Sequence, residues 1–246
     1  MSTVFITGAT SGIGEQLARD YLAAGWLVVA CGRNAEKLEK LATLGERMQT
    51  LRFDVGDKDQ VAQALRSLSV KPNLWIFNAG SCEYIEQGII DSELVERVVD
   101  TNFLGVVRCV EAAQSMFLEG HRVVFVGSIA SEVALTRSEA YGASKAALSY
   151  FARSYRNDIA ARGVQVSLVF PGFVATPLTD KNDFDMPMLL KVEEASKRII
   201  VGLSKNKETI YFPLRFTWML RVIGALPYSW QTKITAKLVN SKESEE

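Results

Sequence analysis

Histidine is almost missing from this chain. His121 is the single one among 246 residues, and no partner motif accompanies it, so it reads as a turn residue and not as a catalytic base or metal ligand. Cysteine is scarce too. Cys31, Cys82 and Cys109 are odd in number and match neither metal nor disulfide spacing. They read as free thiols of a reducing compartment, which points to the cytoplasm. No uncharged apolar run reaches the roughly 18 residues of a membrane span. The start, Met1 to Ile6, is too short for a signal peptide and already reads as a strand. An excess of either charge is also lacking. Lysine and arginine total 28, aspartate and glutamate total 28, and without a basic block no nucleic-acid partner is expected. The one charged run, Lys242 to Glu246, reads as a frayed end. Repeats, linkers and low-complexity tracts are absent, so one domain over 1–246 is expected. A chain of this length buries roughly 70–75% of its unfolded surface and needs no staples.

What is present is alternation. Val4–Ile6, Leu27–Ala30, Thr50–Phe53, Leu74–Phe77, Val123–Val126 and Val166–Phe170 are short runs rich in valine, isoleucine and phenylalanine. Such runs suit parallel strands buried on both faces. Helical patterns lie between them, at Ile13–Ala24, Ala35–Leu44, Lys58–Leu68, Ser92–Leu118, Ser138–Ala161 and Val192–Leu203. Gly25, Gly120 and Gly163 stand where helices should stop. Thr209–Pro213 adds a last edge strand. The prediction is an α/β fold: a Rossmann-like, doubly wound, mostly parallel sheet of about seven strands with helices on both faces.

The first strand runs into Thr7-Gly-Ala-Thr-Ser-Gly-Ile-Gly14, and a helix follows. Glycines let a backbone approach a pyrophosphate, and a helix N-terminus offers it free N–H groups. Tyr141 and Lys145 stand four apart in a helical pattern, hence on one face. A neighbouring ammonium lowers a tyrosine pKa and suits it to acid–base work. Ser128 ends a strand upstream, at the edge where open α/β sheets bind ligands.

These motifs, taken in order, resemble the short-chain dehydrogenase/reductase family over roughly residues 3–177. The glycine turn supplies Gly8, Thr10, Ser11, Gly12, Ile13 and Gly14. Asp54-Val55 resembles the adenine contact, and Asn78-Ala79-Gly80 follows the fourth strand. Asn102, Ser128 and Tyr141-x-x-x-Lys145 match the catalytic set, and Pro171-Gly172 with Val174 and Thr176 match the nicotinamide segment. The resemblance implies that Ser128 polarises a substrate carbonyl, that Tyr141 moves the proton, and that Lys145 lowers the tyrosine pKa and grips the nicotinamide ribose. It implies that Asn102 holds a relay water, where the residue type alone suggests a polar group that kinks a helix. It also implies smallness at Ala79 and Gly80, to spare the adenosine a collision, and a homodimer or homotetramer.

A dinucleotide site often carries an acid at the end of its second strand, for the adenosine ribose. Here Gly32 and then Arg33 stand instead. The glycine removes repulsion, and the forked donors of Arg33 suit a phosphate, so NADP(H) is expected over NAD(H). Asn34 is expected to cap the next helix.

The family pattern weakens beyond Leu178. Residues 178–191 resemble a substrate lid, with Phe184, Met186, Met188 and Leu189 as its apolar inner side, which points to a bulky apolar substrate. Residues 209–240 form a C-terminal extension in which Arg215 and Arg221 lie amid Phe216, Trp218, Leu220 and Ile223. Two readings of it stand: a helix closing the cleft or a subunit interface, and an interfacial helix in peripheral membrane contact. The expected function is hydride transfer between NADP(H) and a small-molecule carbonyl or secondary alcohol. The alternatives are an NAD(H)-dependent dehydrogenase and a nucleotide-sensing protein with little turnover.

Overall fold

A computed structural model describes residues 2–239. The acidic run from Lys242 and the end of the extension at residue 240 lie outside them. Seven parallel strands form one sheet in the order β3-β2-β1-β4-β5-β6-β7. They are β1 (Thr3–Thr7), β2 (Leu27–Gly32), β3 (Met48–Arg52), β4 (Leu74–Phe77), β5 (Arg122–Val126), β6 (Gln165–Pro171) and β7 (Thr209–Phe212). The helices are α1 (Gly12–Ala23), α2 (Ala35–Ala42), α3 (Lys58–Arg66), α4 (Ser92–Val99), α5 (Gly105–Ala113), α6 (Glu139–Ile159), α7 (Val192–Ser204), α8 (Leu214–Gly224) and α9 (Tyr228–Val239). This is the doubly wound, Rossmann-like architecture that the alternation of patterns predicts.

The pleat of each strand divides the core in two. Phe5, Trp75, Phe77 and Phe125 point to one face, where α3, α5 and α6 bring Val61, Val106 and Leu148. Val4, Ile6, Ile76 and Val124 point to the other, against Leu17 of α1, Leu38 of α2 and Ile199 of α7. With both faces covered, alternation of polar and apolar residues disappears from the strands. Ser196 of α7 donates to Asp20 of α1 at 2.6 Å, tying the second layer together.

Element ends differ from the sequence reading in small ways. β3 starts at Met48, and α2 and α3 stop at Ala42 and Arg66. Gly25 and Gly163 end helical segments with positive φ of 81° and 68°, while Gly120 occupies the turn before β5. One difference matters for the site. The single helix expected over Ser92–Leu118 opens at Asp100–Leu104 into a wider π-helical turn. Asn102 sits inside that turn, fully buried. Such turns recur at functional sites because they break the regular ladder locally.

The order of the sheet places a crevice. The chain winds outward from β1 to β3, then returns to pair β4 on the other side of β1. At the carboxyl ends of β1 and β4 the connections diverge and leave space.

Trp75 is fully buried, with its ring 5.2 Å from both Phe5 and Phe117. Trp75→Ala is expected to cost about 3–5 kcal/mol. At roughly 2–4 °C per kcal/mol for a chain of this size, thermal denaturation should show a fall near 10 °C.

Candidate active site

The floor of the crevice is a hydrogen-bonded clasp. The Thr7 hydroxyl accepts from the backbone N–H groups of Asn78 (3.0 Å) and Ala79 (3.1 Å). The Asn78 amide donates back to the carbonyls of Thr7 (3.1 Å) and Gly8 (3.3 Å). The turn after β1 is thereby fixed against the turn after β4. Gly14 packs beneath it so tightly that a Cβ would lie 2.3 Å from the Gly8 carbonyl oxygen. Its role is close packing of helix on turn, and it does not line the crevice. Ser11 precedes α1 in an extended conformation and makes no side-chain cap, so the first N–H groups of α1 keep no internal partner.

Above the clasp lies a cleft of about 510 Å³. Gly8, Thr10, Ser11, Gly12 and Ile13 form one wall. Val55, Asn78, Ala79 and Gly80 form another. Pro171, Gly172, Val174 and Thr176 close the third, and Ser128, Tyr141 and Lys145 stand at the inner end. Asp54 does not line the cleft. Its carboxylate accepts from the Gly56 N–H at 2.9 Å and pairs with Arg33 at 3.2 Å. Gly80 is also confined from behind: a Cβ there would lie 3.2 Å from Asn102 and 3.3 Å from the Lys145 ammonium.

Arg33 leaves the end of β2 and is 70% exposed at the mouth. A Cβ on Gly32 would lie 2.6 Å from the methyl group of Thr10, so glycine is what lets the glycine turn close over β2. Asn34 caps α2, accepting from the Lys37 N–H at 2.9 Å. Lys37, one turn along, lines the same cleft. Sequence reasoning missed it, although its place in the first turn after Arg33 was a usable signal. Thr101 and Thr179 also line the cleft and were missed.

At the inner end, Ser128 follows β5 and caps a short helical turn, accepting from the Ala130 N–H at 3.2 Å. Its side chain and Tyr141 line the same end of the cleft. Lys145 is buried, donates to the Val126 carbonyl at 3.0 Å, and lies 5.9 Å from the centre of the Tyr141 ring. The expected lowering of the tyrosine pKa does not occur in this arrangement. Burial pushes the phenol up to about 12, against a smaller opposing influence of the Ser128 hydroxyl. Burial likewise pushes the Lys145 ammonium down to about 8. Desolvation outweighs mutual attraction because the ammonium is turned to a backbone carbonyl and not to the phenol. The Asn102 side chain accepts from the Ser81 N–H (2.7 Å) and donates to the Ser81 carbonyl (2.9 Å) and the Ser144 hydroxyl (3.0 Å). Its amide holds the loop after β4 to α6.

A second cavity of about 360 Å³ adjoins the first and shares Ser128 and Tyr141. Its walls are mainly apolar: Ile129, Leu135, Phe173, Phe184, Phe216 and Leu220 contribute. The 178–191 segment covers one side, its later end pinned where Leu190 bonds Phe173 and Ala175. Phe184 faces inward, as expected. Met188 and Leu189 do not; they are 52% and 44% exposed. The irregular backbone here, with a positive φ of 56° at Met188, carries no face periodicity. In α8, Phe216, Leu220 and Ile223 pack on Ile129 and Val133 and close the cavity.

Lys145 titrates in the fold near 8, below its ordinary 10.5. The unfolded chain therefore holds this proton more tightly, and stability from this residue rises between about pH 8 and 10.5. Lys145→Met removes the buried charge. It should melt a few degrees above the parent at pH 7, and the gap should shrink as the pH is raised from 8 toward 10, followed by calorimetry across pH.

The chain matches the short chain dehydrogenase family over residues 2–186. It is 31% identical over 234 residues to an uncharacterized oxidoreductase of Myxococcus xanthus, covering 92% of each protein. It is 32% identical over 187 residues to serine 3-dehydrogenase of Agrobacterium fabrum, covering 72% of this chain and 74% of that one. Among solved structures, the closed form of a serine dehydrogenase complexed with NADP+ superposes with a TM-score of 0.79 at 25% identity, over 85% of this chain and 94% of that one. With the glycine turn, the serine and the tyrosine–lysine pair gathered around one crevice, the chain belongs to the short chain dehydrogenase family and is an oxidoreductase.

Proposed function

We propose that the protein transfers a hydride between NADP(H) and a carbonyl or secondary alcohol, with an apolar compound as substrate. The carrying observation is that one crevice joins three things: an uncapped helix N-terminus, the Ser128–Tyr141–Lys145 set, and an apolar cavity that meets the first at Ser128 and Tyr141. The residues fit a dinucleotide. The N-terminus of α1 suits its pyrophosphate, and Arg33 with Lys37 brackets the far end, where a 2′-phosphate would lie. The nicotinamide supplies or accepts the hydride. Ser128 donates to the substrate oxygen, and Tyr141 gives that oxygen its proton during reduction. A phenol held protonated at neutral pH suits this direction. Lys145 holds positive charge beside the developing phenolate. Asn102 positions the loop carrying Ser81 and Cys82. The NADP+ complex of the related serine dehydrogenase supports the cofactor reading.

The buried free thiols Cys31, Cys82 and Cys109 fit a reducing, cytoplasmic setting. Exposed Leu104, in the π-helical turn, and exposed Tyr150, on α6, support a homodimer or homotetramer. No helix among the described residues is long and apolar enough to cross a membrane. α8 nevertheless shows solvent an apolar stripe of Leu214, Trp218 and Val222, which keeps peripheral membrane contact in the reading. Co-sedimentation with anionic vesicles tests that contact, and failure to bind removes it.

Tyr141→Phe should fold with an unchanged melting temperature and lose almost all carbonyl reduction, by about 10²–10⁴-fold. Near-parental turnover would sink the assignment. Each charge-assisted bond to a phosphate is worth about 1.5–3 kcal/mol. Replacing Arg33 and Lys37 together by alanine should therefore cut the preference for NADPH over NADH by at least roughly tenfold to a hundredfold in kcat/KM. A parent enzyme that favours NADH would refute the cofactor reading.

A further inference from the structure

We propose that Lys181 seats its ammonium on the pyrophosphate of the bound dinucleotide, and that this contact ties the cover of the apolar cavity to the cofactor. The inference rests on the dinucleotide reading and adds to it a contact from the 178–191 segment.

Among the described residues, Arg33, Lys37, Lys145 and Lys181 line the larger cleft, and no carboxylate does. A space walled by cations alone suits a ligand that carries several negative charges. Three of the four are accounted for. Arg33 and Lys37 stand at the adenosine end, and Lys145 stands at the inner end beside Tyr141. Lys181 has had no task. It is exposed and belongs to none of the ion pairs among the described residues, whereas Arg33 already leans on Asp54 at 3.2 Å.

The fold holds Lys181 near the start of α1. Thr176 lies so close to Gly12, the first residue of that helix, that a Cβ on Gly12 would be 3.0 Å from the threonine methyl group. From Thr176 the chain winds tightly. The N–H groups of Thr179 (2.9 Å) and Asp180 (3.0 Å) donate to the Thr176 carbonyl, and the Asn182 N–H donates to the Thr179 carbonyl at 3.0 Å. The Thr179 hydroxyl donates to the Val174 carbonyl at 2.7 Å and accepts from the Thr176 N–H at 2.9 Å. Lys181 thus leaves a fixed turn seated against the helix end whose free N–H groups suit a pyrophosphate. An ammonium completes that anion site from above. The next residue serves the other space. Asn182 lines the apolar cavity and accepts from the Tyr84 hydroxyl at 2.8 Å. Leu178 and Thr179 line both spaces. One turn of chain therefore has the cofactor cleft on one side and the substrate cavity on the other, and a phosphate that holds Lys181 holds the cover with it. Lys181 lines the first space and not the second, which favours the cofactor over a substrate anion as its partner.

Fluorescence titration with NADPH and with NADH, in the absence of substrate, reads the contact directly. Lys181 is exposed, so Lys181→Met should melt with the parent. It should bind both dinucleotides about tenfold more weakly, and by the same factor, because the pyrophosphate is common to them. Lys181→Arg should stay within about threefold of the parent, since a guanidinium also serves a phosphate. Chymotryptic cleavage after Phe184 reads the cover. With NADPH at about ten times each protein's own Kd, cleavage should slow about tenfold in the parent and less than about twofold in Lys181→Met. Unchanged affinity in Lys181→Met, a loss confined to NADPH, no rescue by arginine, or equal protection of the two proteins would overturn the proposal. A parent that binds NADH and not NADPH removes the NADP(H) reading alone, and the NADH titration then decides the role of Lys181. A parent that binds neither dinucleotide removes both readings.

Discussion

The site depends on the clasp between Thr7 and Asn78–Ala79. It joins the carboxyl ends of β1 and β4, the two strands between which the sheet reverses its winding direction. Backbone N–H groups leaving β4 have no strand partner there, and a buried unpaired donor is costly. The Thr7 hydroxyl takes two of them at once, and the Asn78 amide repays the turn by satisfying the carbonyls of Thr7 and Gly8. Without that exchange the glycine turn would have no fixed height above the sheet. With it, α1 starts at a defined place, and Gly14 can approach Gly8 closely enough to exclude any side chain. The position of the anion-facing helix end is thus decided by side chains of the neighbouring connection, about seventy residues away in sequence.

The same crevice holds charges that burial disfavours. Lys145 sits under the loop after β4 with a lowered pKa, and Tyr141 beside it with a raised one. Each is less ionised than it would be in water, because desolvation exceeds their attraction in this geometry. A ligand that brings hydroxyl groups to the ammonium would draw it from the Val126 carbonyl and change this balance. The pair is therefore a site whose electrostatics are completed by what binds. The surrounding polar groups fix position: the amide of Asn102 bonds to Ser81 and Ser144. Fixed neighbours around two strained ionisations fit preorganisation of a catalytic centre, where charge is held ready at a cost in stability.

The strands and the places of the motifs were legible because each rests on local rules. A buried parallel strand shows as a continuous apolar run, and ligands gather at strand ends, so Gly8, Ser128 and Pro171 could be placed from sequence alone. What escaped depends on contacts distant in the chain. Lys37 faces the cleft only because α2 leaves β2 at the angle set by the Asn34 cap. The wide turn around Asn102 has a helical residue pattern on both sides, and nothing local announces the break. Met188 and Leu189 were misplaced because an irregular segment has no period from which to infer a face. Asp54 was assigned to the cofactor by its motif, yet its carboxylate serves the turn at Gly56 and the pairing with Arg33.

The wall of the apolar cavity shows the same division most sharply. Arg137 reaches carboxylates 51 and 46 residues away, on segments that no motif marks. The chemistry end of the pocket is built from strand ends and a helix, elements whose geometry many sequences can share. The far end is built from loops and from α8, which meet only in the fold. Reaction type therefore resides in parts that the sheet itself positions, while the choice of substrate resides in loop contacts that vary independently of it.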